Sequence, residues 1–258
     1  MPQWLEIALV VLTGLAFGSF VTLVSYRLPL ELPVAGGRSQ CPSCKTGLGP
    51  KALFPVFSWL WQRAKCRYCQ RPISARYPAT ELAQALLFLL VYWTYGITWP
   101  GMIVAAFSVC MLVVIVVDLE WQIIPDEMQI AMLVLGVVYQ AVIPNQPVVP
   151  HVLASMALGA VIGLSLRLGY GWLRKKEVLG WGDVKFLPIA GLWLGDLYIW
   201  PAYLFYAGMI GVMTAVAWRM MGKGARFPFG PALLVALLLC ILTPAAGLFY
   251  WTAARLFA

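Results

Sequence analysis

Eight stretches of this chain are apolar over lengths that a membrane or a fully enclosed core can accommodate: residues 4–26, 79–97, 102–117, 128–143, 152–173, 186–200, 202–221 and 231–250. Crossing a hydrocarbon layer of ~30 Å takes roughly 17 to 25 helical residues. Within lipid only a helix or a closed barrel satisfies its own backbone polar groups. The composition excludes an ordinary soluble domain, with 62% hydrophobic residues, 11% charged residues and a mean hydropathy of +0.84. The expected fold is an all-α polytopic membrane protein of about eight transmembrane helices. The sixth stretch is short and contains Pro188 and Asp196, so it is expected to be kinked, tilted or partly buried against its neighbours. The first has no basic leader and runs directly into Arg27 without a small-residue cleavage site, so it is expected to stay as a helix.

Positive charge orients the helices, because short loops rich in Lys and Arg stay in the cytoplasm. Sixteen of the eighteen basic residues lie in three segments, residues 27–76, 174–185 and 219–226. Alternation of eight helices puts all three segments on one side, with both termini on the periplasmic side. The net charge of +8 is thereby explained by topology, and no nucleic acid is implied.

Three parts follow: a first helix (residues 1–26), a cytoplasmic loop domain (27–78) and a seven-helix membrane core (79–258). The loop domain carries CPSC, Cys41 to Cys44, and CRYC, Cys66 to Cys69. Two such pairs about twenty residues apart have the spacing of a structural zinc site, each presenting two thiolates to a tetrahedral ion. A pair of disulfides is the alternative, but the reducing cytoplasm disfavours it. Four thiolates leave no open coordination position, so the metal is expected to staple the loop, not to catalyse. Cys110 and Cys240 fall inside apolar stretches and read as small buried hydrophobes.

Catalytic chemistry narrows by residue type. His151 is the one histidine and sits at a helix edge; there is no HExxH, no serine–histidine pair and no phosphate-binding glycine loop. Carboxylates remain. Asp118 closes the third apolar stretch, and Asp183, in GWGDVKF, precedes the sixth. Carboxylates at bilayer depth are costly and usually mark function. If the two meet, they share a proton and work as a coupled acid–base pair on water and a peptide carbonyl, which is aspartic protease chemistry. The glycines Gly180 and Gly182 allow close approach of backbone and substrate. A solvated cap, a structural polar contact between helices and proton or ion coupling in a transporter are the competing readings.

Five motifs in order along nearly the whole chain decide among these: GLAFGSFVTLVSYRLP (14–29), CRYCQRPISARYPATEL (66–82) at the end of the double C-x-x-C loop, DLEWQIIPD (118–126), GWGDVKF (180–186) and FPFGPALLVA (227–236). Together they resemble the prepilin peptidases, bacterial inner-membrane aspartic proteases of the GxGD type. The resemblance implies cleavage of the basic leader from type IV prepilins or type II secretion pseudopilins at the cytoplasmic face. In many members this is followed by N-methylation from S-adenosylmethionine. A non-enzymatic assembly partner of the same machinery and a carboxylate-coupled transporter are the alternatives. Carried over, the resemblance makes Asp118 and Asp183 the catalytic pair and gives Asp126, Gly180, Gly182, Lys185 and Arg226 supporting or substrate-facing roles. Cys41, Cys44, Cys66 and Cys69 become metal ligands. Arg27 and Glu81 are candidate contributors to a cofactor site that rests on the resemblance alone. The chain departs from the family at Thr22, where an asparagine is usual, in the half where methylation is usually placed. Prepilins or pseudopilins and membrane lipid are the expected partners, and no oligomeric state follows. A basic leader should not be drawn to basic loops, so Glu120, Asp126, Glu127 and Glu177 are expected to offset that charge near the site.

Overall fold

A computed structural model describes residues 2–36, 39–49, 52–143, 148–174, 180–224 and 227–243. The described residues form helices joined by turns: α1 (Gln3–Arg27), α2 (Phe57–Trp61), α3 (Arg76–Tyr95), α4 (Trp99–Trp121), α5 (Asp126–Val142), α6 (Val149–Arg174), α7 (Trp181–Leu194), α8 (Trp200–Met220) and α9 (Gly230–Leu242). Strand pairing among them is confined to two isolated bridges, Gln40 with Gly47 and Lys65 with Pro72.

Among the described residues, four helices are long and apolar enough to cross a membrane: Gln3–Leu30, Trp99–Trp121, Val149–Gly169 and Leu197–Met220. The other expected spans fall short for identifiable reasons. α3 begins with Arg76 and carries Thr80, Glu81 and Gln84, all three buried against its neighbours. α5, with 17 residues, stands at the lower bound of a crossing, and α7 with 14 and α9 with 13 are below it. α7 contains Pro188 and ends at Gly195, whose φ of +71° is a left-handed conformation that favours glycine. Nine of its residues are buried, so it is enclosed on nearly all sides and need not reach both surfaces. The eighth expected stretch, 231–250, extends past α9 and lies partly outside the described residues.

Neighbours in the chain are mostly neighbours in space: α1 lies along α3 and α4, α5 between α4 and α7, α6 along α7, and α9 against α4, α7 and α8. Polar contacts show that the helices run up and down. At one end Arg76 at the start of α3 pairs with Glu120 at the end of α4 (2.8 Å) and reaches Ser25 near the end of α1 (2.8 Å). At the other end Tyr92 of α3 donates to Glu6 of α1 (2.8 Å), and Tyr95 meets Tyr139 of α5 (3.0 Å) and the carbonyl of Ile241 in α9 (2.9 Å).

Two seams are built from small residues spaced four apart, a pattern that lets helix backbones touch where lipid supplies no hydrophobic drive for association. On α1, a Cβ at Gly14 would lie 2.6 Å from Ala85 Cα, and one at Gly18 would lie 2.4 Å from Glu81 Cα. On α6, a Cβ at Gly159 would lie 2.4 Å from the carbonyl of Leu187, and one at Gly163 would press on Val184 of α7. Hydroxyls complete the first seam, with Thr22 2.6 Å from Thr80. Gln84 donates to Ser108 of α4 at 2.9 Å.

Candidate active site

The site is assembled at the end of the bundle where α4 finishes and α5, α7 and α9 begin. α4 closes on a left-handed residue, Gln122 (φ +56°), whose amide donates to the carbonyl of Asp118 (3.0 Å). The extended Pro125 then caps α5, placing Asp126 and Glu127 in its first turn, where the helix dipole favours negative charge. Asp118 faces the opposite situation, at the C-terminal, negative end of its own helix. Its carboxylate is 5% exposed, and Oδ2 accepts the amide of Gly230, the first residue of α9, at 3.0 Å. A second helix thus supplies the positive end that the first withholds. A Cβ at Gly230 would lie 2.6 Å from that oxygen, so the approach requires glycine.

Asp183 stands at the third position of α7. Its carboxylate bonds back to the backbone of Gly180, the residue that caps the helix, the acidic half of a capping box. Oδ1 remains buried and has no hydrogen-bond partner among the described residues. Ile124, in the turn after Asp118, fastens the two elements together. A Cβ at Gly182 would come within 2.9 Å of Ile124 Cβ, and one at Gly230 within 3.2 Å of Ile124 Cδ1.

Asp118 and Asp183 both line one cleft of about 440 Å³, together with Asp126, Glu127, Lys185 and the rim residue Trp181. That is within the range of small ligand sites. Lys185 grips both oxygens of Asp126 at 2.9 Å, and the pair is exposed. Trp181 carries the guanidinium of Arg167 over its ring at 4.2 Å. The cleft therefore holds four carboxylates and one ammonium, a local acidity inside a basic chain. Of the acids expected to offset the basic loops, Asp126 and Glu127 are here, Glu120 is paired with Arg76, and Glu177 lies outside the described residues, as does Arg226. Two carboxylates in one cleft, one with a buried oxygen left open, suit acid–base work on a water molecule.

The four loop cysteines converge, their sulfurs all within 4.8 Å of one another. Cys41 Sγ and Cys69 Sγ are 3.9 Å apart, close to the ~3.8 Å edge of a tetrahedron with metal–sulfur bonds of ~2.3 Å. The two knuckles repeat each other. Cys41 N donates to Thr46 O and Lys45 N to Cys41 O; Cys66 N donates to Arg71 O and Gln70 N to Cys66 O. Lys45 (φ +58°) and Gln70 (φ +57°) turn the chain left-handed directly after each second cysteine. Hydroxyl and amide hydrogen bonds from Thr46 hold the Cys44 thiol down at about 6, and the amides of Cys69 and Tyr68 lower Cys66. The donor set and spacing fit a tetrahedral, thiolate-bound metal.

Arg27 and Glu81, the cofactor candidates, are engaged elsewhere. Arg27 Nη1 donates to the carbonyls of Pro33, Val34 and Gly36 (2.8–3.3 Å), tying down the chain that leaves α1. Glu81 accepts the Val56 amide at 2.7 Å and a bond from Ser19. No hydrogen bond or ion pair joins the two among the described residues. Sequence reasoning missed Ile124 and the part played by Gly230, although the Gly-Pro pair opening an apolar run in FPFGPALLVA marked a helix start.

Comparison with known proteins gives concordant results. The model of the Type IV leader peptidase family matches residues 105–216, and that of the Bacterial Peptidase A24 N-terminal domain matches residues 12–95. The prepilin leader peptidase/N-methyltransferase of Neisseria gonorrhoeae is 34% identical over 89% of this chain and 88% of its own length. The protein of that name from Pectobacterium carotovorum subsp. carotovorum is 34% identical over 91% of each. A type 4 prepilin-like proteins leader peptide-processing enzyme of Escherichia coli O78:H11 is 31% identical over 85% of this chain and 87% of its own. No solved structure matches.

Proposed function

Because the chain belongs to the type IV leader peptidase family, we propose that it is a prepilin leader peptidase with N-methyltransferase activity, and that Asp118 and Asp183 are its catalytic pair. The observation that carries the assignment of the pair is their convergence on one cleft from α4 and α7, with Asp118 tied to Gly230 and Asp183 Oδ1 buried and open. In the reaction, one carboxylate takes a proton from water as the water oxygen bonds to the scissile carbonyl carbon, and the protonated partner gives its proton to the carbonyl oxygen. Collapse breaks the carbon–nitrogen bond. The proton first taken from water goes to the leaving amine, and a hydroxyl of the intermediate returns its proton to the partner as the new carboxyl forms, so the pair ends as it began.

The cleft's acidity suits the substrate class. A leader rich in Lys or Arg meets Glu127 and the carboxylates around it, while the apolar segment behind the leader stays in the bilayer. Asp126 and Lys185 form a brace at the mouth. We place the cleft at the cytoplasmic face of the bacterial inner membrane, with eight spans and both termini periplasmic. Residues 27–78 form a unit stapled by zinc on Cys41, Cys44, Cys66 and Cys69, and residues 79–258 form the peptidase core. The substrates are prepilins or the pseudopilins of type II secretion. Methylation from S-adenosylmethionine rests on the family. With Arg27 and Glu81 committed to backbone partners, no step of methyl transfer is assigned to them.

The test is cleavage of a prepilin in membranes holding the wild-type chain, Asp118→Asn or Asp183→Asn, with mass analysis of the new N-terminus. Cutting is expected to stop in both variants at unchanged protein level, and the wild-type product is expected to carry one added methyl. Cutting that survives in both would remove the aspartate assignment.

A further inference from the structure

The segment between the two cysteine knuckles has the chemistry of a membrane element. It reads LFPVFSWLW over residues 53–61. Leu53, Phe54, Phe57, Leu60 and Trp61 are all exposed, Trp61 to 90%. Five large apolar side chains on so short a stretch exceed the scatter normal for a water-facing surface. The inner side of the same turn is fixed: Trp59 Nε1 donates to the Ile73 carbonyl at 3.1 Å.

Its depth follows from a single hydrogen bond. The Val56 amide donates to Glu81 Oε2 (2.7 Å), and Glu81 sits on α1 at Gly18, nine residues before α1 ends at Arg27. At ~1.5 Å per helical residue that crossing is about 13 Å back along a helix that is apolar enough to span a bilayer. Half a hydrocarbon core is only about 15 Å. Phe17 and Phe20 are exposed on α1 at the same level. Val56 takes φ +59°, a conformation that a β-branched residue holds only under constraint, and the Glu81 bond supplies one.

Much of the segment's backbone is hydrogen-bonded within the protein, as lipid requires of a chain inside it. The amides of Ser58, Leu60 and Gln62 donate to Phe54, Val56 and Ser58, the amide of Ala64 to Trp59, and that of Val56 to Glu81; Pro55 has no amide proton to satisfy. Beyond the segment, Arg63, Lys65, Arg67 and Arg71 are all exposed, where they would meet anionic headgroups.

We infer that residues 53–61 form a re-entrant anchor that dips into the cytoplasmic leaflet, with Phe54, Phe57, Leu60 and Trp61 in the acyl region and the following basic residues at the anionic headgroups. The inference rests on the cytoplasmic placement of the loop proposed above. It changes the loop domain from a wholly aqueous unit to one fastened to the membrane between its knuckles.

The test uses the full-length, metal-loaded protein, one copy per nanodisc of phosphatidylethanolamine and phosphatidylglycerol, with single cysteines introduced as Phe57→Cys, Trp61→Cys or Arg71→Cys. Reaction with a charged, membrane-impermeant maleimide is followed by mass, and the unaltered chain sets the background. Cysteines at 57 and 61 are expected to react at least tenfold more slowly than the one at 71 in discs, and at comparable rates in denaturant. Equal rates in discs would overturn the inference. Placement of the loop is read separately, from whether the cysteine at 71 reacts in inside-out but not in right-side-out vesicles, so failure of the anchor and failure of the topology are distinguishable.

Discussion

The amide of Gly230 and the carboxylate of Asp118, 112 residues apart in the chain, form a hydrogen bond of 3.0 Å, and the space a side chain would need at Gly230 lies 2.6 Å from the same oxygen. A methyl there must displace the carboxylate or α9. Displacement of a catalytic group by about 1 Å costs on the order of 10²-fold in rate. Gly230→Ala is therefore expected to lower prepilin cleavage about a hundredfold while the protein still accumulates in membranes with a near-normal melting temperature. Cleavage rates on equal amounts of folded protein check this, and near-wild-type cutting would mean that the Asp118–Gly230 contact does not position the acid.

This contact also marks where the sequence stops being informative. Asp118 and Asp183 were legible as candidate site residues because a carboxylate at the end of an apolar stretch is expensive wherever the fold leads, and the structure brings both to one cleft. The four cysteines were legible because local spacing alone forms each knuckle. Nothing local announces that Gly230 faces Asp118, or that Ile124 is wedged between Gly182 and Gly230, because those relations exist only once four helix ends are brought together. The structural part played by Arg27 and Glu81 was hidden for a related reason: each satisfies backbone groups of an irregular segment that folds back on it only in three dimensions. Helix lengths were read well for α1, α4, α6 and α8. They were less legible for α7 and α9, whose all-round apolar surfaces reflect enclosure by other helices as much as contact with lipid.

Glu127 lines the cleft and, unlike Glu120, has no cation paired with it among the described residues. An exposed charge pair contributes roughly 0–1 kcal/mol, so Glu127→Lys, which replaces an attraction to a basic leader by a repulsion, is expected to raise KM several-fold with kcat little changed. The effect should shrink as salt screens it. Kinetics at two ionic strengths with a basic-leader substrate and a neutralised one test the point, and an equal effect on both substrates would count against charge recognition.

The cysteine site predicts one zinc per chain by elemental analysis. Cys41→Ser or Cys66→Ser removes one of four ligands from a loop that has little apolar core to hold it together, so loss of metal and of protease resistance in residues 39–73 should go together. The membrane core does not depend on those sulfurs for packing. Chelation is expected to open the loop to proteolysis while α4 to α9 remain intact, and limited proteolysis with mass mapping reads both. A loop that stays resistant with its metal removed would show that the knuckles close without it.

Thr22, which stands where the resemblance to the family leads one to expect an asparagine, has a packing role in the structure. It is 3% exposed, its hydroxyl is 2.6 Å from that of Thr80 and donates to the carbonyl of Gly18 at 3.0 Å, so it is spent on the seam between α1 and α3. Thr80 can still donate to its own helix at Arg76 or Tyr77, so removing the Thr22 hydroxyl leaves no orphaned donor. Interhelical hydrogen bonds of this kind average about 0.6 kcal/mol in membranes. Thr22→Val is thus expected to lower the melting temperature slightly and leave the ratio of methylated to cleaved product unchanged. Gly18→Leu, whose first side-chain atom would lie 2.4 Å from Glu81 Cα, is expected to split the seam and abolish accumulation. Loss of methylation with intact cleavage in Thr22→Val would instead mean that this hydroxyl serves the transfer reaction as well as the helix contact.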